Sequence, residues 1–261
     1  MMKKWNAVVL AGDRGSADPV AKIAKVSGKA LAKLNGITLI ERIINVLNEA
    51  ECINEIYTLG PSRDCLSECG QEMTIFKEYG VNYLEPEHGP SASALLGVKT
   101  SAHFPTLIVT SDLPLLNANI IEEYCSRVEN QKEDFVVTAV NYLAIKNLLP
   151  ELKKTKYRFA GNEVCFANIF AVLNPPGMKA LSYWQDVEQS RKNPLEVIRK
   201  IDWWSVLRYK FGFLDIEQAS ESLSKKLGAK LTIEQSSIPE LAIDLDSEHD
   251  FILLTEYMKQ G

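Results

Sequence analysis

The chain is poor in the residues that build metal cages and disulfide frameworks. Its 261 residues include only three histidines, His88, His103 and His249, scattered along the sequence. The five cysteines are Cys52, Cys65, Cys69, Cys125 and Cys165. Their number is odd, no Cys-x-x-Cys occurs, and Cys65 and Cys69 have no further ligands nearby. Zinc and disulfides therefore give way to reduced structural thiols. No apolar run is long enough to span a bilayer. No signal-peptide-like apolar region precedes the first strand pattern, so the expected location is cytoplasmic. Basic residues are also in the minority, 29 against 34 acidic ones, for a net charge of −5. Such a surface attracts neither nucleic acid nor an anionic membrane, and an anionic ligand must be held by local cations. Gly-x-Ser-x-Gly, Gly-x-Gly-x-x-Gly and the Walker lysine motif are all missing, which removes the support for a serine triad, a dinucleotide fingerprint and a P-loop.

What is present is core material and alternation. Hydrophobic residues make up 46%, enough for one large α/β domain. Buried-strand patterns at 7–11, 55–59, 82–84, 106–110, 135–140, 166–173 and 230–234 alternate with helical ones at 38–50, 64–79, 91–99, 119–128 and 250–258. Asn117 is the cap expected before the helix at 119. This order predicts a three-layer α/β/α sandwich around a mostly parallel, mixed sheet, with residues 1–261 as a single domain. In such sheets ligands bind beyond the carboxyl ends of the strands.

Residues 178–228 read as a helical insert, broken at Asn193-Pro194 and near Gly212. The insert holds Trp203, Trp204, Tyr209 and Phe211, the densest aromatic stretch. Core packing is the usual reason for such a stretch. An acceptor-pocket wall or the surface of a homodimer is the functional alternative.

Several places carry chemistry. The first strand ends in Leu10-Ala11-Gly12-Asp13-Arg14-Gly15, and Gly28-Lys29-Ala30-Leu31 follows before an amphipathic helix. Glycines after a buried strand let free N–H groups cradle phosphate, and a lysine then supplies a mobile cation. Taken alone, Lys29 is as expected on a solvated surface. Lys22, Lys25 and Arg14 are further loop cations. Asp112 follows the strand at 106–110, where a carboxylate can ligate Mg²⁺ through oxygen; a turn aspartate before Leu113-Pro114 is the equal alternative. Gly89-Pro90 and Ser93 form either a turn offering backbone hydrogen bonds to a base edge or an ordinary helix start with proline in its first turn. Tyr157, Arg158 and Asn168 could meet a phosphate or hydroxyl, although a basic hairpin edge is usually solvated.

These motifs, in this order, resemble the MobA-like nucleotidyltransferases of the nucleotide-diphospho-sugar transferase fold, which is Rossmann-like. Leu10-Ala11-Gly12 and Lys29-Ala30-Leu31 match that family's opening, with Asp13 at a position usually held by glycine. Gly89-Pro90 and Ser93 match its turn along base and ribose. Asp112-Leu113-Pro114-Leu115 matches Asp-x-Pro-Leu, whose aspartate serves the metal. Asp246-Ser247 and Asp250-Phe251 are similar to its closing Asp-Thr-Pro-Glu-Asp-Leu, with Glu248-His249 at Pro-Glu.

The resemblance implies transfer of NMP from an NTP to a phosphorylated acceptor with release of pyrophosphate, and Mg²⁺ as cofactor. It makes Lys29 catalytic and Asp112 and Asp246 the metal ligands. Leu10 to Gly15, Gly89, Pro90 and Ser93 become the nucleotide site, and Tyr157, Arg158 and Asn168 the acceptor side. Asp244, one alternation step from Asp246 and expected on the same strand face, is the reserve ligand. A glycosyltransferase of the same fold using an NDP-sugar, or a non-catalytic nucleotide-binding protein, are the competing readings. Asp13 feeds the latter, because a carboxylate beside a triphosphate repels it unless metal-bound.

Overall fold

The first strand, β1 (Trp5–Leu10), is buried at every residue. A run of this kind, apolar but for Asn6, belongs to a strand covered on both faces. The computed structural model describes residues 3–12, 17–69, 72–187 and 214–260. After β1 come α1 (Pro19–Ala24), β2 (Lys33–Leu34), β3 (Ile37–Thr38), α2 (Leu39–Glu49), β4 (Ile53–Leu59), α3 (Arg63–Cys69) and α4 (Glu72–Glu78). The middle of the chain forms β5 (Asn82–Leu84), α5 (Pro90–Ser101), β6 (Thr106–Thr110), α6 (Ala118–Val128), β7 (Phe135–Asn141) and α7 (Tyr142–Leu148). Then follow β8 (Tyr157–Phe159), β9 (Asn162–Val172), α8 (Met178–Val187), α9 (Ile216–Leu227), β10 (Leu231–Ser236) and α10 (Glu248–Gln260).

The main sheet has the order β10-β7-β9-β6-β1-β4-β5, with β8 paired to β9. Neighbours are parallel at β1/β4, β1/β6, β4/β5 and β7/β10, and antiparallel where β9 meets β6, β7 and β8. The sheet is mixed and mostly parallel, as the alternation predicted. The reversal of β9 brings its early residues to the edge where the other strands end: Cys165 lies opposite Val140 and Val164 opposite Asn141. Between the pairs Val137–Phe170 and Ala139–Phe166, β9 carries two more residues than β7. Asn168 sits in this bulge, a device that re-aims a side chain.

The core lies on both faces of the sheet. Ala7 and Val9 of β1 join one buried cluster, Val8 and Leu10 the other, as the two-residue period of a strand requires. On the first face, α2 buries Leu39, Ile40, Ile43, Ile44 and Leu47, each contributing about 1.5–3 kcal/mol when fully buried. Its start is fixed by a capping box between Thr38 and Glu41, typically worth about 1 kcal/mol. On the second face, α5 lies close to the sheet through Gly97. A Cβ there would come within 2.5 Å of Val8 Cγ1 and 2.7 Å of Leu59 Cδ1, so this contact demands glycine.

One expectation holds and one changes. The stretch expected to be helical from 64 to 79 is helical at Arg63–Cys69 and Glu72–Glu78. The strand expected to carry Asp244 and Asp246 does not form: residues 243–246 are irregular and follow a 3₁₀ turn at Pro239–Ala242. One backbone hydrogen bond, Leu245 N–H to Asp112 C=O at 2.9 Å, ties this segment to the end of β6. Leu245 is fully buried, and the aspartates on either side of it border the cavity described below. Trp203, Trp204, Tyr209 and Phe211 lie outside the described residues.

Candidate nucleotide site

A cavity of about 980 Å³ runs from the carboxyl edge of the sheet across its second face, where Phe135, Phe170, Trp184 and Ile233 line it. At the carboxyl edge it is lined by Leu10 at the end of β1, Gly12, the Pro86–Ser93 turn, and Ser111 and Asp112 after β6. Lys29, Lys154, Tyr157, Asn168, Asp244 and Asp246 belong to its polar wall. Local rules place each of them. Gly89 has φ +111°, a left-handed value that glycine adopts without strain. Pro90 opens α5 and Ser93 lies in its first turn. The Ser93 hydroxyl accepts from the Glu87 N–H at 2.9 Å, which closes the turn. Lys29 stands at the start of a 3₁₀ turn whose next two residues, Ala30 and Leu31, are buried, so its stem is anchored and its head faces the cavity.

Lys29 Nζ lies 2.5 Å from Asp112 Oδ2 and 2.9 Å from Asp246 Oδ1. Burial by itself would lower the ammonium's pKa; the charges of Asp112 and Asp246 outweigh it and raise it above the ordinary lysine value. The other oxygen of Asp112 accepts from the Thr110 hydroxyl at 2.5 Å. Both Asp112 oxygens are thus engaged within the site, and α6 takes its cap from Asn117. Asp112 also stands in a turn, as the alternative reading expected. At Asp246, Ser247 accepts from the Asp250 N–H at 3.1 Å and Asp250 accepts from the Asp246 N–H at 3.2 Å. This capping arrangement holds Asp246 just ahead of Ser247 and α10.

A second cluster lies beside the first. Lys154 is ion-paired with Asp244, and Asn168 donates to the other Asp244 oxygen at 2.8 Å. Burial pushes the Asp244 carboxyl up to about 6 against the attraction of Lys154, with Asp246 and Asp112 adding to the rise. Lys154 itself is raised, because Asp244 outweighs its burial. The motif-by-motif reading passed over Lys154. The signal was a buried leucine beside it: Leu152 is fully buried, which fixes the stretch against the core and turns a lysine two residues on into the cavity.

Other expected residues fall elsewhere. Arg158 lies on β8 next to Tyr157 and therefore on the opposite face of the strand. It pairs with Glu163 at 2.8 Å, is largely exposed and does not border the cavity. Lys22 and Lys25 are exposed on α1 and also stand outside the lining. Ala11 is buried, its N–H bound to Leu59 C=O. Asp13, Arg14 and Gly15 lie outside the described residues. The histidines stay apart: His103 bonds Lys4 C=O and His249 borders Asp250. Cys52, Cys125 and Cys165 are buried free thiols.

A mixed, mostly parallel α/β sheet with a cavity at its carboxyl edge is the architecture of a family of NTP transferases. The chain belongs to the MobA-like NTP transferase domain family, whose model matches residues 7–193. Among solved structures, a hypothetical transferase from Thermus thermophilus superimposes with a TM-score of 0.76 at 20% identity, over 95% of this chain and 99% of that one. A CMP:2-keto-3-deoxy-manno-octonic acid synthetase complexed with CTP gives 0.59 at 10% identity, over 99% of each chain. CTP:phosphocholine cytidylyltransferase from Streptococcus pneumoniae gives 0.57 at 15% identity, over 99% and 100%. At these identities the likeness is one of fold. No curated protein sequence matches the chain. No helix among the described residues is long and apolar enough to cross a membrane.

Proposed function

We propose that this protein transfers a nucleoside monophosphate from an NTP to a phosphorylated small molecule, with Mg²⁺, and releases pyrophosphate. The observation that carries this reading is the convergence of Asp112 and Asp246 on one point at the carboxyl edge of the sheet, marked by the Lys29 ammonium. Two carboxylate oxygens facing a single cation suit a hard divalent ion. Among the described residues no three His, Cys, Asp or Glu side chains gather into a cage. A two-carboxylate site fits Mg²⁺, which usually keeps waters and shares substrate phosphates. Held by Asp112 and Asp246, the ion would neutralise the α-phosphate and the leaving oxygen.

The residues divide the remaining work. The Gly12 backbone and the Gly89–Ser93 turn frame the nucleotide. Lys29 stabilises charge that builds on the transferring group and on departing pyrophosphate. An acceptor phosphate oxygen attacks the α-phosphorus; the bond to the bridging oxygen breaks, and its electron pair leaves with pyrophosphate. The attacking oxygen is already an anion, so no general base is needed. Lys154, aimed by Asp244, is the cation on the acceptor side, with Tyr157 beside it.

The test is product analysis. Each of the four NTPs is incubated with Mg²⁺ and a panel of sugar, polyol and amino-alcohol phosphates. Pyrophosphate release that depends on one acceptor supports the reading; release of NDP from an NDP-sugar without pyrophosphate overturns it.

A further inference from the structure

Lys29 occupies the space that the carboxylate pair would offer a metal. Its Nζ contacts one oxygen of each carboxylate, at 2.5 and 2.9 Å. Thr110 holds the second Asp112 oxygen, so Asp112 cannot rotate freely to serve two cations in turn. Mg²⁺ needs its oxygens at about 2.0–2.1 Å. An ammonium in contact with the same two oxygens fills that place, and two cations there repel each other.

Among the described residues, Lys29 and Lys154 already face Asp112, Asp244 and Asp246 without any added ion. Lys154 is committed to Asp244 and does not replace Lys29. Lys29 can leave the pair by swinging its side chain away from the two carboxylates, which it meets only through Nζ. It is built to move: a flexible four-carbon stem rises from a turn pinned by buried Ala30 and Leu31. The Asp246 side chain is 57% exposed, so the cavity side of the contact is open.

We propose that Lys29 is a place-holder: its ammonium keeps the Asp112–Asp246 pair satisfied until a divalent cation arrives with nucleotide phosphates, and Lys29 then shifts onto those phosphates. This rests on the two-carboxylate metal reading above. It predicts that the nucleotide-free protein takes up a divalent cation poorly and that the metal enters with the nucleotide.

The experiment titrates Mn²⁺ alone, by electron paramagnetic resonance, into the full chain without nucleotide. Wild type, Lys29→Met and Lys29→Met/Asp246→Asn are compared. Lys29→Met should bind Mn²⁺ about tenfold tighter or better, because the wild-type affinity is scaled down by the small fraction of molecules with Lys29 displaced. The double variant should lose that gain. Mn²⁺ should also raise the melting temperature of Lys29→Met while leaving wild type unchanged. Lys29→Gln, which keeps a donor for the carboxylates, serves if the methionine variant is unfolded by circular dichroism. Equal Asp246-dependent affinity in wild type and Lys29→Met overturns the place-holder and leaves the metal site standing. No Mn²⁺ uptake by any variant, even with ATP, CTP, GTP or UTP added, overturns the metal reading with it.

Discussion

Two lysines stand in the same cavity, each against aspartate, and their surroundings differ. Lys29 bridges two carboxylates from distant parts of the chain, and one of them, Asp246, is more than half exposed. Lys154 meets a carboxylate as buried as itself, and Asn168 occupies that carboxylate's other oxygen. The first arrangement can exchange partners when a phosphate arrives. The second engages both oxygens of a buried carboxylate and holds its geometry. A cation that must follow a moving charge needs the open arrangement, and a cation that anchors a substrate needs the closed one.

The largest effect should come from breaking the open cluster at its root. Asp112→Asn should reduce Mg²⁺-dependent turnover by about a hundredfold or more, with an unchanged circular dichroism spectrum; full turnover in that variant would remove Asp112 from the site. Lys29→Ala comes next. It should lower kcat by about a hundredfold and raise the KM for NTP by less, the pattern of a group that acts mainly in the transition state. A rise in KM alone would make Lys29 a docking residue.

The closed cluster should fail differently. Lys154→Ala should raise the acceptor KM by about 10–100-fold, the worth of a hydrogen bond to a charged group, and leave NTP binding as it was. Asp244→Asn should cost about 3–5 kcal/mol of stability, because it leaves a buried lysine unpaired. Replacing both partners with Lys154→Met/Asp244→Leu should recover most of that stability without restoring acceptor binding. Calorimetry beside initial rates separates the two roles. The smallest effect is expected outside the cavity, at Arg158. Its exposed pairing with Glu163 is of the kind that contributes little, so Arg158→Ala should leave acceptor KM and melting temperature unmoved. A raised KM would return Arg158 to the acceptor side.

The difference between the clusters also marks how far the sequence could be read. The strand at 106–110 was legible from its apolar centre Leu107-Ile108-Val109, and Ser111-Asp112 marks where it stops. The helix cap at Asn117 followed from the same kind of local rule. The sheet order was legible only as an alternation; nothing local announces that β9 runs backwards. The Lys154–Asp244 pair was hidden because lysines in a basic hairpin usually sit in water. Its partner lies 90 residues away, and the bulge that turns Asn168 toward it appears only when β7 and β9 are aligned. Arg158 was misleading for the mirror reason: strand parity sends adjacent residues to opposite faces, and the pattern does not say which face meets the cavity.

The bond between Leu245 and Asp112 has a consequence for synthesis. Asp246 follows Lys29 by 217 residues, and a domain folds as a unit rather than piece by piece. A nascent chain that has completed β1, α5 and β6 carries Lys29, the Gly89–Ser93 turn and Asp112, yet it lacks the residue that completes the pair. The contact therefore closes only when the segment after β10 has been made and laid back against the end of β6.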